Sequence, residues 1–184
     1  MKNIAQHILD ITHNAISAES TLIDIYILKS HKKNLLELLI KDDGKGMSKE
    51  MLDKVADPYT TSRTTRKVGM GIPLLKQNAE QSAGTFSISS AEKKGTMVNA
   101  SFQLDHLDTP PMGDVVDSVV GMATSQTEID FIFTYMTDHG EFIFSTKDVK
   151  EALEGTPMHE PQVTRYLKEM IIENIEAYCG EKLR

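Results

Sequence analysis

Leu35-Leu36-Glu37-Leu38-Leu39-Ile40-Lys41-Asp42-Asp43-Gly44-Lys45-Gly46 is an apolar run that ends in two carboxylates, followed by two glycines spaced by one residue. An extended segment of this kind carries an acidic side chain to a strand end and continues with backbone that a ligand or neighbour can approach closely. Alone, the same residues also spell a plain Asp-Gly turn. The choice between the two rests on what stands at a distance in the chain.

Upstream, residues 3–18 read as a helix, with Ile4, Ile8, Ile11, Ala15 and Ala18 on one apolar face and His7, Asp10, Asn14 and Ser17 in a polar stripe beside it. Such a stripe is usually the solvated side of a surface helix. Here it also sets Asp10 and Asn14 one turn apart, where they can hold a metal ion or a water together. Residues 21–29 and 34–41 alternate as two strands joined by Ser30-His31-Lys32-Lys33, so the second strand delivers Asp42 at its end. A short helix is expected over residues 48–56. Beyond it, Gly69-Met70-Gly71 opens a helix through about Ala83, ended by Gly84, and its first amides form an anion site. Strands over 85–91 and 96–104 follow, joined by Glu92-Lys93-Lys94-Gly95.

Asp10 to Ala18 with Asn14 at its centre, Asp42 to Gly46, Asp57-Pro58-Tyr59, Gly69-Met70-Gly71-Ile72 and Gly95-Thr96 occur in the order of the asparagine, glycine and aromatic boxes of a nucleotide site. Over roughly residues 4–104 the chain resembles the GHKL superfamily: gyrase, Hsp-ninety, histidine kinase and MutL ATPases. It looks most like small stand-alone bacterial histidine-kinase-like ATP-binding proteins that carry an added C-terminal segment. The resemblance implies an α/β sandwich of the Bergerat type, a mixed and mainly antiparallel sheet with helices on one face. It also implies that ATP or ADP is bound with Mg²⁺. Asp42 would accept the adenine amino hydrogen, Thr96 would assist at the same ring edge, and Asn14 would offer its side-chain oxygen to Mg²⁺. Gly44 and Gly46 would let the base lie against backbone, while Gly69 and Gly71 present amides to phosphate. The polar stretch 59–67 would be a lid whose Arg63, Arg66 and Lys67 meet the β- and γ-phosphates.

Two departures shape the expected activity. Asp10 stands where gyrase-like, MutL-like and anti-sigma-factor relatives carry a Glu base, and it is one methylene shorter. The chain starts just before the asparagine box, with no phosphoacceptor segment in front, so self-phosphorylation is not expected. The favoured activity is slow ATP hydrolysis or phosphoryl transfer to a Ser, Thr or His of an unidentified protein partner. The alternative is a non-catalytic, nucleotide-gated binding module resembling an anti-sigma-factor switch.

After Leu107 the register changes. Asp108-Thr109-Pro110-Pro111-Met112-Gly113 punctuates the chain, so residues 1–107 and 108–184 read as an ATP-binding domain and an acidic α/β extension. The extension reads as a helix over 114–123, strands over 128–136 and 141–145, and helices over about 146–154 and 161–179. Its hairpin is too small to stand alone and is expected to extend or pack on the first sheet. Residues 1–109 carry 14 Lys+Arg against 13 Asp+Glu, and residues 110–184 carry 6 against 14, so the chain's net charge of −7 lies in the extension. That excess repels phosphate backbones and argues against nucleic acid as a partner. The single Cys179, expected as a surface or half-buried thiol near the end of a helix, excludes a disulfide framework and is compatible with a reducing cytoplasm. No apolar run is long enough to cross a bilayer, and none at the start reads as a signal peptide. The lid reading predicts that trypsin cuts first after Arg63, Arg66 or Lys67 and that ATP slows the cut. Cleavage indifferent to nucleotide contradicts it.

Overall fold

A computed structural model describes residues 3–55 and 70–183. Its first helix, α1 (Ile4–Ser17), starts at a reciprocal cap: Asn3 Oδ1 accepts from the Gln6 amide at 2.8 Å and Gln6 Oε1 accepts from the Asn3 amide at 3.2 Å. The strands β1 (Leu22–Ser30) and β2 (Leu35–Asp42) form the expected hairpin, with Ile23 opposite Asp42 and Ser30 opposite Leu35. Then come α2 (Lys49–Val55), α3 (Gly71–Gln81), β3 (Phe86–Ser90) and β4 (Thr96–Gln103). At the end of α3 the left-handed residue is Ala83, not the expected Gly84. Gly84 instead sits so close to β4 that a Cβ would overlap the Ser101 carbonyl.

The second part of the chain folds as α4 (Val115–Ser125), β5 (Asp130–Thr137), β6 (Glu141–Ser145), α5 (Thr146–Ala152) and α6 (Pro161–Cys179). β5 lies parallel to β1, so the later hairpin continues the same sheet, in the order β3-β4-β2-β1-β5-β6. A parallel pair needs a crossover, and α4 supplies it. The sheet is mixed, with β1–β5 parallel and the other pairings antiparallel. Its fold class is therefore the expected α/β one.

Alternation explains where the core sits. Ile23, Ile25 and Ile27 of β1 point to one face with Leu36, Leu38 and Ile40 of β2 and Phe131, Phe133 and Tyr135 of β5, and all are buried. The helices cover that face in one layer, α1 packing on both α3 and α4, and α4 on α6. Among the described residues, no such layer covers the opposite face. Cys179 belongs to the core after all: it is 1% exposed, with its Sγ donating to the Tyr135 carbonyl at 3.3 Å. A thiol on the buried side of an amphipathic helix packs as a small apolar group.

Side chains of the later segment hold the earlier one in place. Asp138, in the β5–β6 turn, accepts from Ser30 Oγ at 2.6 Å and from the Lys32 amide at 2.9 Å, which fixes the β1–β2 turn. The fully buried Thr146 accepts from the Phe131 amide at 2.8 Å. Thr146→Val keeps the shape and leaves that amide without a partner, so it should cost about 1–3 kcal/mol in urea unfolding. Because β5 belongs to the first sheet, both halves should unfold in one shifted transition. Two transitions, only one of them shifted, would contradict a shared sheet.

Candidate functional site

Asp42 is the last residue of β2, with Thr96 opposite it on β4, and its position in the alternation turns it to the helix-covered face. It is only 9% exposed. Its Oδ1 accepts from Ser20 Oγ at 3.2 Å and from the Gly44 amide at 2.9 Å. Burial pushes the carboxyl above its usual range, more strongly than the hydrogen bonds from Gly44, Ser20 and Thr96 pull it down. The neighbouring Asp43 turns the other way and does a different job. Its carboxylate takes the Thr21 amide at 2.7 Å, the Thr21 hydroxyl at 2.6 Å and the Leu22 amide at 2.9 Å. Burial raises its pKa, but these bonds together outweigh it and leave the group below its usual value.

The glycines after Asp42 have reasons of their own. A Cβ on Gly44 would come within 2.6 Å of Ser20 Oγ and 2.8 Å of the Ala18 carbonyl. Gly46 has φ +64°, and a Cβ there would overlap the Ala91 carbonyl in the β3–β4 turn. The Lys45 amide donates to Ala18 at 2.9 Å and the Lys93 amide to Lys45 at 2.7 Å, so this segment is threaded between the end of α1 and the β3–β4 turn. From β3, Ser90 Oγ lies 2.9 Å from Thr96 Oγ1 and accepts from the Met47 amide at 2.9 Å. Ser20 and Ser90 thus orient Asp42 and Thr96. Neither stands out in the sequence: Ser20 lies between α1 and β1 and Ser90 is one of three serines in β3, and neither position carries a motif signal.

Asp10 is half-buried on α1, and Asn14, one turn later, is exposed. Gly71, the first residue of α3, packs against Asp10 so tightly that a Cβ would lie 2.7 Å from the Asp10 Cβ and 3.4 Å from Oδ2. Further along α3, Asn78 Nδ2 lies 2.8 Å from His7 Nε2, and His7 is fully buried rather than part of a solvated stripe. Two contacts therefore set α3 against α1. The structure brings Asp42, Gly44, Gly46 and Thr96 together at one end of the sheet, and Asp10 and Gly71 into contact where α1 meets α3. Tyr59, Arg63, Arg66, Lys67 and Gly69 lie outside the described residues.

A mixed sheet covered on one face by helices, with a buried strand-end carboxylate beside glycine-rich turns, defines an α/β sandwich. The family model described as "Histidine kinase-, DNA gyrase B-, and HSP90-like ATPase" matches residues 2–106, and the chain belongs to that family. The sensor histidine kinase ZraS of Escherichia coli is 29% identical over 93 residues, which are 50% of this chain and 20% of that protein. YvrG, a sensor histidine kinase of Bacillus subtilis, is 27% identical over 94 residues, 49% of this chain and 16% of its own. An NtrY-like relative from Rickettsia typhi is 26% identical over 83 residues, 45% of this chain. The chain spans 14% of that relative's length. Among solved structures, the N-terminal domain of a DNA repair protein covers 86% of this chain and 59% of its own at a TM-score of 0.55 and 14% identity. That likeness concerns the fold alone and extends past residue 107.

Because folding raises the Asp42 pKa, its ionised form is a cost to the folded state. Between the unfolded value and the higher folded one the native state binds more protons, so this group favours folding more as the pH falls through that window. Asp42→Asn should therefore raise Tm at neutral pH, with the difference shrinking as the pH approaches 3.8, the usual carboxyl value. Thermal scans across pH check this, and a lower Tm at neutral pH would contradict it.

Proposed function

We propose that residues 1–107 bind ATP or ADP with Mg²⁺ and that residues 108–184 are an extension serving an interaction with another protein. The observation that carries the reading is the Asp42 carboxylate, buried at a strand end and held by Ser20 and Gly44. A fixed acceptor there matches the exocyclic amine of adenine and meets the guanine carbonyl oxygen with like polarity. Thr96, oriented by Ser90, stands beside it. Gly71 at the start of α3 supports the phosphate side, since amides at a helix start favour anions. Arg63, Arg66, Lys67 and Gly69 complete the phosphate side in this reading.

The donor set around α1 suits a hard cation. Asn14 offers an exposed neutral oxygen one turn from the Asp10 carboxylate, and Mg²⁺ keeps several waters while taking one or two protein oxygens and phosphate. When bound, the ion offsets charge on the triphosphate. Asp10 is the group that can orient a water or hydroxyl and accept its proton. Its short arm, packed against Gly71, makes turnover slow until α3 shifts or a partner closes the site. The phosphoryl acceptor is water, or a Ser, Thr or His of the partner protein. That same restraint on Asp10 also supports a second reading, a nucleotide-gated switch that grips its partner without chemistry.

Calorimetry with Mg²⁺ should show ADP bound at least about tenfold tighter than GDP. Equal affinities would contradict the adenine assignment. Asp10→Asn should lower turnover by about 10²-fold or more while leaving nucleotide affinity within a few fold. Unchanged turnover with partner present would make Asp10 a bystander.

A further inference from the structure

The helices cover one face of the sheet, and the other face has an unusual composition. Reading outward-pointing positions across β2, β1, β5 and β6 gives the row Glu37-Leu28-Met136-Glu141, and beside it the row Leu39-Tyr26-Thr134-Ile143. Two rows of largely apolar side chains thus run across four strands, with a carboxylate at each end of one row. Tyr26 Oη donates to Met136 Sδ at 3.2 Å, which ties the rows together, and Ile143 is 55% exposed. Burial, then Glu37 and Glu141, raise the Tyr26 pKa, so both carboxylates act on the middle of the strip. Solvated sheet faces ordinarily alternate to polar residues, and a contiguous apolar strip rimmed by charge is the pattern of an interaction surface.

The charge selects the occupant. Asp130 is engaged by Lys150 at 2.7 Å and the neighbouring Asp24 faces Lys41, so among the described residues these two lysines serve carboxylates other than Glu37 and Glu141. Glu37 is oriented by Asn99 Nδ2 at 2.9 Å. A second copy of the chain would bring like charges together, and anionic lipid or nucleic acid would be repelled. We infer that this open face docks an amphipathic helix of a partner protein, with an aliphatic stripe along the strip and lysine or arginine side chains meeting Glu37 and Glu141. Three strand spacings separate those carboxylates by about 14 Å, the rise of roughly 10 helical residues. The face lies across the sheet from α1 and α3, so this binding does not depend on the nucleotide reading.

The test uses a synthetic helix of roughly 18 residues with a leucine stripe and lysines about 10 residues apart, and a matching peptide with glutamates in place of the lysines. Fluorescence anisotropy is read on the nucleotide-free protein. The lysine peptide should bind and the glutamate peptide should not. Ile143→Lys should weaken the lysine peptide by about tenfold or more, and so should Glu37→Gln combined with Glu141→Gln, which adds no positive charge. Tyr166→Lys, the same charge change at an exposed tyrosine of α6, should leave binding within a few fold. No binding by the lysine peptide, or equal losses in Ile143→Lys and Tyr166→Lys, overturns the inference. Self-association in sedimentation that Ile143→Lys abolishes overturns it too, by assigning the face to a second copy.

Discussion

A carboxylate withdrawn from water at the end of a core strand is the constraint on which this structure turns. Asp42 is expensive to bury, because desolvation works against its charge and only the Ser20 hydroxyl and the nearby amides offset it. Meeting that cost fixes much of the surroundings. Ser20 reaches Asp42 only because α1 ends where it does, and its single hydroxyl hydrogen is shared between Asp42 Oδ1 at 3.2 Å and the Ala15 carbonyl at 2.8 Å. The Gly44 amide reaches it only because Gly44 has no side chain to strike Ser20 or Ala18. A stabler residue at position 42 would relax these demands and remove the fixed acceptor. Keeping a costly group in place is the usual mark of a binding site.

The rest of the fold holds α1 and β2 in register around that group. On one side, α3 is set on α1 by the Gly71–Asp10 packing and the Asn78–His7 hydrogen bond. On the other side, β5 pairs with β1 and the Asp138 carboxylate fastens the β1–β2 turn. The Lys29–Glu181 ion pair adds a tie from the chain's last residues to β1. Residues 108–184 therefore cover the strand edge that β1 would otherwise present, and they supply α4 and α6 to the helical layer. Among the described residues, the other side of the sheet remains open.

Much of this was legible in the sequence where periodicity was strong. The alternation in 21–29 and 34–41 located β1 and β2, and residues 161–179 read as the last helix with its observed bounds. Long-range pairing was less accessible. Nothing in Asp130–Thr137 says that it lies parallel to β1, because a buried strand reads alike in either direction. Spacing alone puts His7 in a polar stripe, yet α3 covers it, since a helix wheel carries no information about the neighbour packed on it. The family resemblance gives Gly44 and Gly46 the task of making room for a base, and the structure shows that Ser20, Ala18 and Ala91 already demand glycine there. Asp42 and Asp43 are adjacent and alike in sequence. Only the strand's alternation and the reach of Thr21 separate a buried acceptor from a turn clasp.

Recognition of the adenine amine by Asp42 is best probed by a cycle that changes both partners. ADP and its purine analogue lacking the exocyclic amine are titrated by calorimetry into the unaltered protein and into Asp42→Ala. Loss of the amine should weaken binding to the unaltered protein but have little further effect in the variant, a coupling of about 1 kcal/mol or more. A coupling near zero, with both proteins penalising the analogue equally, would contradict it.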